Sequence, residues 1–510
     1  MGPKTVNSVP RSKTELRRSV VSPRMVLAAA CILFFIQQLP YFQTRWIEDE
    51  NSYADAAWTF AREGKIRMSM YPPTDVGSVV DVRPPAMPVA VGAVFKIIGL
   101  GVWQARLLPF LGALAAIFVT YLLGGYLAGE WAGAIAALLV ATDSLLFVAG
   151  RTTRPEGMEA CLNMLAALLF MRAMRRDSWG LALLSGLVAG ISMNFHINGI
   201  ITPVAMGLWA LYEYGWKVWQ KPVAWVFAAT VALCIVPYVL WINSDALHQH
   251  AYVEMQNLGT VMPFSRLHGE IMRYSDFLGI GNLKALPVAI PVRAPITMLI
   301  LGSLGVLYVC NRRLFWYLGL FLAAHMGVWF YLANKNVRYT AVAAPLFAII
   351  VAAGCISLAT TPNLRRIAVA CCVVYGVIGM LGNAFLVNRF KNADYVGLTA
   401  QLREAVPQGS TVYGANTFWL ALQEDRRYYS ADRTSLDYAT VNLKPQYLIL
   451  YDRLMMHGSG YGDNFGDLRS EATAYVKTHG EKVALIPSAF YGDLEIYRVN
   501  STTGNSSLPK

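Results

Sequence analysis

"PPAMPVAVGAVFKIIG", residues 84–99, decides how this chain is threaded. The stretch is apolar but short, holds Pro84, Pro85 and Pro88, and carries Lys96 near its end. A helix crosses a bilayer with about 20 apolar residues, and proline fits a helix only in its first turn. Suppose the stretch crosses. Then "MRAMRRD" (171–177), "KVWQK" (217–221), "NRR" (311–313) and "NLRR" (363–366) all fall outside the cytoplasm, against the preference of Lys and Arg for the inner side. Suppose instead that it lies on the outer membrane surface. All four clusters then move inside, together with the basic residues at the N-terminus.

The second threading leaves eleven spans, near 25–43, 104–125, 131–149, 158–174, 180–196, 198–214, 222–242, 293–310, 314–332, 339–358 and 367–387. The N-terminus is then cytoplasmic and the C-terminal region external. The sequence therefore predicts a basic, disordered cytoplasmic tail over 1–23 and a multispan α-helical membrane module over 24–387. After 388 the pattern changes. Short strand-like runs, "STVYGA", "YLILYD" and "LEIYRV", alternate with helical stretches, which predicts an extracytoplasmic α/β domain over 388–510.

Composition agrees. The chain of 510 residues is 55% hydrophobic and only 15% charged, where soluble proteins average about 25% charged. The net charge of +12 resides in clusters between apolar runs, not on a basic, aromatic-laced soluble face, so a nucleic-acid partner is not expected. The seven cysteines all lie in apolar segments, which predicts no structural disulfide. The first apolar run has a long basic leader and no small-residue cleavage site after it, unlike a cleaved signal.

Carboxylates gather at the outer face. Glu48, Asp49 and Glu50 follow the first span, and residues 52–63 form an amphipathic surface helix with Tyr53, Ala56, Ala57, Phe60 and Ala61 on its apolar face. Asp49 has two readings: the N-cap of that helix, or a base at the water–lipid boundary able to take a proton from a hydroxyl. "GRTTRPEGMEA" supplies Arg154 and Glu156 around Pro155, at the outer start of a span. Glu159 lies a turn deeper, where an ionisable group is costly unless paired or functional. The arginines on this face, Arg83, Arg106, Arg154 and Arg338, with Lys335 nearby, either anchor to headgroups or bind an anion. His196 and Asn198 break an apolar stretch in "NFHINGI". "HQH" (248–250) lacks the spacing of a metal site, and there is no phosphate-binding glycine loop for a nucleotide.

"DENSYADAAWTFAREG", "RPPAMPVAVGAVFKIIG", "ARLLPFLGALAAIFVTYLLGGYLAG" and "RTTRPEGMEACLNMLAALLFMRA", in that order, resemble the bacterial family-39 glycosyltransferases of the GT-C superfamily. These are relatives of protein O-mannosyltransferases and of the lipid A aminoarabinose transferase. "NVRYTAVAAPLFAII" (336–350) resembles them more loosely. The resemblance implies a GT-C fold in the bacterial cytoplasmic (inner) membrane, with one or two surface helices in the first external loop. It implies a polyprenyl-phosphate sugar donor. The acceptor hydroxyl is on an envelope lipid, glycan or protein outside the cytoplasm, and transfer inverts the anomeric centre. Asp49 corresponds to the family's proposed base, with Glu50 beside it and Glu156 in the second acidic motif, where many relatives carry Asp. Arg83, Arg338, Arg154 and Lys335 are candidates for the donor phosphate. His196, Asn198, Tyr53 and Tyr339 are candidates for substrate contact. No organic cofactor is implied, and a divalent cation is left open. The competing reading is a transporter or flippase of lipid-linked sugars. It should show paired, interrupted helices in two halves, and no internal repeat is visible.

Overall fold

A computed structural model describes residues 21–44, 46, 48–71, 83–244, 293–331, 337–431, 434–451 and 465–499. The helical module contains α1 (Pro23–Gln38), α2 (Glu48–Glu63), α3 (Ala86–Ile98), α4 (Val102–Ala128), α5 (Glu130–Thr142), α6 (Ser144–Ala149) and α7 (Glu156–Arg176). It continues through α8 (Trp179–Phe195), α9 (Ile201–Tyr214), α10 (Pro222–Ile242), α11 (Ala294–Cys310), α12 (Arg312–Tyr331), α13 (Ala344–Ala359) and α14 (Arg365–Phe390). Among the described residues, six helical stretches are long and apolar enough to cross a membrane, and α1, α3, α5, α8 and α11 are shorter apolar helices. The protein is a multi-pass membrane protein.

Helix α4 is the hub, packing on α5, α7 and α1. Its crossing with α7 is close because both sides present glycine. A methyl group added at Gly157 would lie 2.6 Å from the Pro109 carbonyl oxygen, and one at Gly112 would lie 2.8 Å from the Met158 nitrogen. Small residues let helix backbones approach where hydrophobicity cannot drive association. This crossing seats the first turn of α7.

The expected span over 131–149 is two helices, α5 and α6. Asp143 divides them. Its carboxylate caps α6 by accepting from the Leu145 N–H (2.8 Å), and it also accepts from Arg293 at 2.8 and 3.1 Å and from the Tyr375 hydroxyl at 2.6 Å. All three residues are buried. The ion pair ties the α5–α6 break to the start of α11 and to α14.

After α14, helix α15 (Tyr395–Ala405) leads into a five-stranded sheet: β1 (Thr411–Gly414), β2 (Arg427–Ser430), β3 (Tyr447–Tyr451), β4 (Gly480–Ile486) and β5 (Leu494–Val499). The order is β2-β1-β3-β5-β4, with β1 parallel to β2 and β3, and β5 antiparallel to β3 and β4. Helix α16 (Phe465–His479) lies between β3 and β4 in sequence. The expected mixed α/β architecture is present.

This module shares a hydrophobic core with α2 and the residues flanking it. Trp46, Tyr53, Ala54, Ala57, Met68 and Met70 pack in one cluster with Leu398, Phe418, Trp419 and Tyr491. Polar bonds reinforce it: the Ser430 N–H donates to the Met70 carbonyl (2.8 Å), and the Gln423 amide donates to Ser69 Oγ (3.2 Å).

Helix α3 packs along α2. Met87, Val91 and Phe95 are buried, while Lys96, Ile97 and Ile98 are exposed, as for an apolar helix with one partnered face. Helix α2 differs from expectation. The middle of its polar side, Asp55 and Thr59, is buried while Arg62 stays exposed, because Asp55 accepts from Ser69 Oγ (2.5 Å) and the Met70 N–H (2.8 Å), bringing residues 68–71 back over the helix.

Candidate functional site

The first turn of α7 is the centre of the candidate site. Pro155 precedes Glu156 at its start, so the missing proline N–H removes no helical bond. Arg154 reaches forward to Glu156 with Nε at 2.9 Å and Nη2 at 2.7 Å from Oε1. Both side chains are buried. The carboxylate also benefits from the positive end of the helix dipole.

Residues from four other segments surround this pair. The Arg154 guanidinium lies 5.8 Å from the Tyr339 ring centroid, and that ring lies 5.2 Å from the His196 ring. Arg83 stands 4.0 Å over the Tyr53 ring and donates to the Ser52 carbonyl (3.0 Å). Burial pushes the Tyr53 phenol up; Arg83 and Arg154 act against this and Glu156 with it. Tyr53 is thus a neutral hydroxyl among two guanidinium groups and a carboxylate. Two cations and aromatic rings beside one carboxylate can hold an anion and the ring of a polar ligand.

Glu50 is deployed differently from its neighbour motif. Its carboxylate takes a bidentate pair from Arg106 (2.8 and 2.9 Å) and bonds from the Thr153 N–H (2.9 Å) and hydroxyl (3.2 Å). Arg106 spends its remaining donors on the carbonyls of Phe42 (3.0 Å) and Thr44 (2.8 Å). Glu50 therefore fixes the start of α2 against α4 and the loop before α7. Asp49 shares its helical turn, and the Asp49 side chain lies outside the described residues, as do Lys335 and the side chain of Arg338.

The structure thus brings together Tyr53, Arg83, Arg154, Glu156, His196 and Tyr339. Asn198 lies behind them, buried in the 3₁₀ turn Ile197–Ile200. That turn separates α8 from α9, so the span expected from 198 begins at 201. Sequence reasoning missed the engagement of Glu50. The available signal was Arg106, a lone cation in an apolar helix, which calls for a buried partner. Among the described residues, no three His, Cys, Asp or Glu side chains come close enough to hold a metal ion.

Over nearly its whole length the structure is similar to ArnT from Cupriavidus metallidurans. The match has 14% identity and a TM-score of 0.66, and it covers 95% of this chain and 99% of that one. The chain has the GT-C fold. A second ArnT structure, bound to undecaprenyl phosphate, matches with 14% identity, a TM-score of 0.64 and the same coverage. The archaeal oligosaccharyltransferase AglB from Archaeoglobus fulgidus, solved with an inhibitory peptide and a dolichol-phosphate, matches at 13% identity. Its TM-score is 0.58, over 93% of this chain and 74% of that chain. Residues 82–241 of this GT-C chain match the family described as dolichyl-phosphate-mannose-protein mannosyltransferase. They run from Arg83 through α3, α4 and the Arg154–Glu156 motif to α10. No curated protein matches the sequence.

Proposed function

We propose that this protein is a membrane glycosyltransferase of the family-39 type. It moves a sugar from a polyprenyl-phosphate-linked donor to a hydroxyl of an envelope lipid, glycan or protein on the extracytoplasmic side, with inversion. The observation that carries the reading is the convergence of Arg83 and Tyr53, from two earlier segments, on the Arg154–Glu156 pair at the first turn of α7. The ArnT and AglB structures, solved with polyprenyl phosphates, support the same class of donor.

In this reading the acceptor hydroxyl oxygen attacks the anomeric carbon while the carbon–oxygen bond to phosphate breaks on the opposite face. The hydroxyl proton passes to a carboxylate, for which Asp49 is the candidate. The lipid monophosphate leaves with the electron pair. Charge grows on its oxygens as the bond breaks, so guanidinium groups held beforehand in a dry site lower the barrier. Arg83 is the candidate for that role, with Arg338 and Lys335, which precede α13 in sequence. Arg154 also orients Glu156. Glu50, already saturated by Arg106 and Thr153, positions the turn that carries Asp49.

The test is transfer by the purified protein from polyprenyl-phosphate monosaccharides, followed by mass spectrometry of both lipid and product. Cells lacking the gene should accumulate the lipid-linked sugar. If the purified protein moves the intact lipid-linked sugar across vesicles and never cleaves it, the flippase reading replaces this one.

A further inference from the structure

Asp55 is a buried carboxylate that the reaction described above does not use. It lies in the middle of α2 with no exposure to solvent. A carboxylate taken out of water is costly unless its oxygens are bonded. Here both oxygens are bonded to one short segment: Oδ1 accepts from the Ser69 hydroxyl (2.5 Å) and Oδ2 from the Met70 N–H (2.8 Å).

Two pieces of chain touch the Arg83 guanidinium, and Asp55 ties them together. The first is α2: the Ser52 carbonyl accepts from Nη2 (3.0 Å), and the Tyr53 ring centroid lies 4.0 Å from Cζ. The second is the returning segment, where Met68 Sδ lies 3.9 Å from the same Nη2. Ser52 and Asp55 are three residues apart on one helix and so neighbour each other on its surface. Met68 directly precedes the two residues that Asp55 holds.

The C-terminal module anchors this bracket from behind. Gln423, just after the helical turn Trp419–Leu422, donates from Nε2 to Ser69 Oγ (3.2 Å), and its Oε1 accepts from the Tyr428 N–H (3.2 Å). The Ser430 N–H donates to the Met70 carbonyl (2.8 Å). A row of bonds thus runs from β2 through Gln423 and Ser69 to Asp55. The burial of Met68 and Met70 in the shared core is non-directional. Bonds to a carboxylate are directional and charge-assisted, so they fix where the segment sits. An arginine on a flexible stem serves a departing phosphate only when its fork is placed beforehand, and a misplacement of about 1 Å can cost about 100-fold.

We infer that Asp55, acting through Ser69, is a positioning residue for Arg83, and that the C-terminal module sets it by way of Gln423. The inference rests on the reading of Arg83 as the cation that meets the leaving phosphate. Asp55 acts on Arg83 and not on the substrate.

The test is a double-mutant cycle on the full-length protein in detergent. Asp55→Ala and Ser69→Ala are each made with Arg83 present and in an Arg83→Ala background. Two quantities are read: single-turnover transfer from undecaprenyl-phosphate monosaccharides carrying mannose, glucose, galactose or arabinose, and affinity for sugar-free undecaprenyl phosphate. With Arg83 present, each variant should slow transfer about tenfold. In the Arg83→Ala background each should change it less than about twofold, because no guanidinium remains to be placed. Ser69→Ala removes one hydroxyl and decides the matter if Asp55→Ala does not fold. Equal losses in both backgrounds overturn the inference, since the bracket then only supports the fold. Wild-type transfer in both variants overturns it as well. If Arg83→Ala transfers like the wild type, Arg83 is not the phosphate cation, and the inference falls while the glycosyltransferase reading stands. If the wild type cleaves none of the donors, the glycosyltransferase reading falls. The affinity for undecaprenyl phosphate then decides alone: a loss that depends on Arg83 upholds the bracket, and a loss independent of it, or none, overturns it.

Discussion

The backbone of Trp46 and the phenol of Tyr491, 445 residues apart, exchange two hydrogen bonds: the Trp46 N–H donates to Tyr491 Oη (2.8 Å), and Oη donates to the Trp46 carbonyl (3.2 Å). The connection between β4 and β5 thereby holds Trp46, which precedes α2. Trp46 also donates from its ring to Asn51 (2.7 Å) and lies beneath Arg106. The C-terminal module is therefore a clamp on the segment that carries Asp49 and Glu50.

Tyr491→Phe should loosen that clamp without emptying the core. Two bonds at about 0.5–1.5 kcal/mol each predict a fall of about 1–3 kcal/mol in stability. Turnover should fall more than donor binding, because the loop carries the candidate base and not the phosphate site. Thermal unfolding and single-turnover transfer measure the two effects. Wild-type behaviour in both would mean that the loop is held by packing alone.

Arg106→Ala should be the most destabilising single change around the candidate site. It leaves Glu50 charged, buried and unpaired, at a cost of about 3–5 kcal/mol. Glu50→Gln paired with Arg106→Met should recover much of the loss, since no bare charge remains. Melting temperatures of the three proteins decide this. If the double variant is no better than Arg106→Ala, Glu50 does more than balance a charge.

Asp49→Asn should abolish transfer while leaving folding and insertion intact. Asparagine keeps the size of aspartate and removes the base, so the rate should drop about 10²–10⁴-fold. Near-normal turnover by purified Asp49→Asn protein would leave Asp49 as a first-turn residue of α2, which begins at Glu48 and so places it inside the helix and not at its cap.

Arg83→Lys should weaken transfer, and Arg83→Ala should weaken it further. The lysine keeps charge but loses the planar group that stacks on Tyr53 and bonds to Ser52. A group matched to the departing phosphate affects turnover as well as donor affinity. A change in affinity alone would assign Arg83 to holding the ground state and leave the leaving group to another cation.

The direction of threading has its own test. Val441 in the C-terminal module and Trp216 at the end of α9 are both well exposed. A membrane-impermeant maleimide should label Val441→Cys in intact cells and Trp216→Cys only after lysis. The opposite pattern would invert the molecule and put the arginine clusters outside.

Much of this architecture is legible in the residues. The strands quoted as "STVYGA", "YLILYD" and "LEIYRV" correspond to β1, β3 and β5: β1 and β3 are largely buried and read as nearly continuous apolar runs, while β5 alternates, with Leu494 and Ile496 buried and Arg498 exposed. Strands β2 and β4 were not legible. They lie at the two edges of the sheet, where charged and polar residues such as Arg427, Glu481 and Lys482 blur the pattern. The site was legible as motifs on one membrane face, because charge at the end of an apolar helix stands out. Its internal division of labour was not. Asp49 and Glu50 are adjacent and chemically alike, and the difference between them is made by Arg106, which joins Glu50 only when α4 is packed. Likewise, periodicity placed Asp55 on a wet face, and only the return of residues 68–71 made it a buried acceptor.

The bonds among Asp143, Arg293 and Tyr375 bear on how damage at one position would spread. Arg293 stands at the entrance to α11, yet its partner carboxylate lies 150 residues back, and that carboxylate takes a further bond from a residue 232 positions beyond it. One carboxylate thus serves as the common anchor of three parts of the chain that are remote in sequence. Its loss would leave a buried guanidinium without its counter-ion and would release the head of α6, the head of α11 and the middle of α14 together.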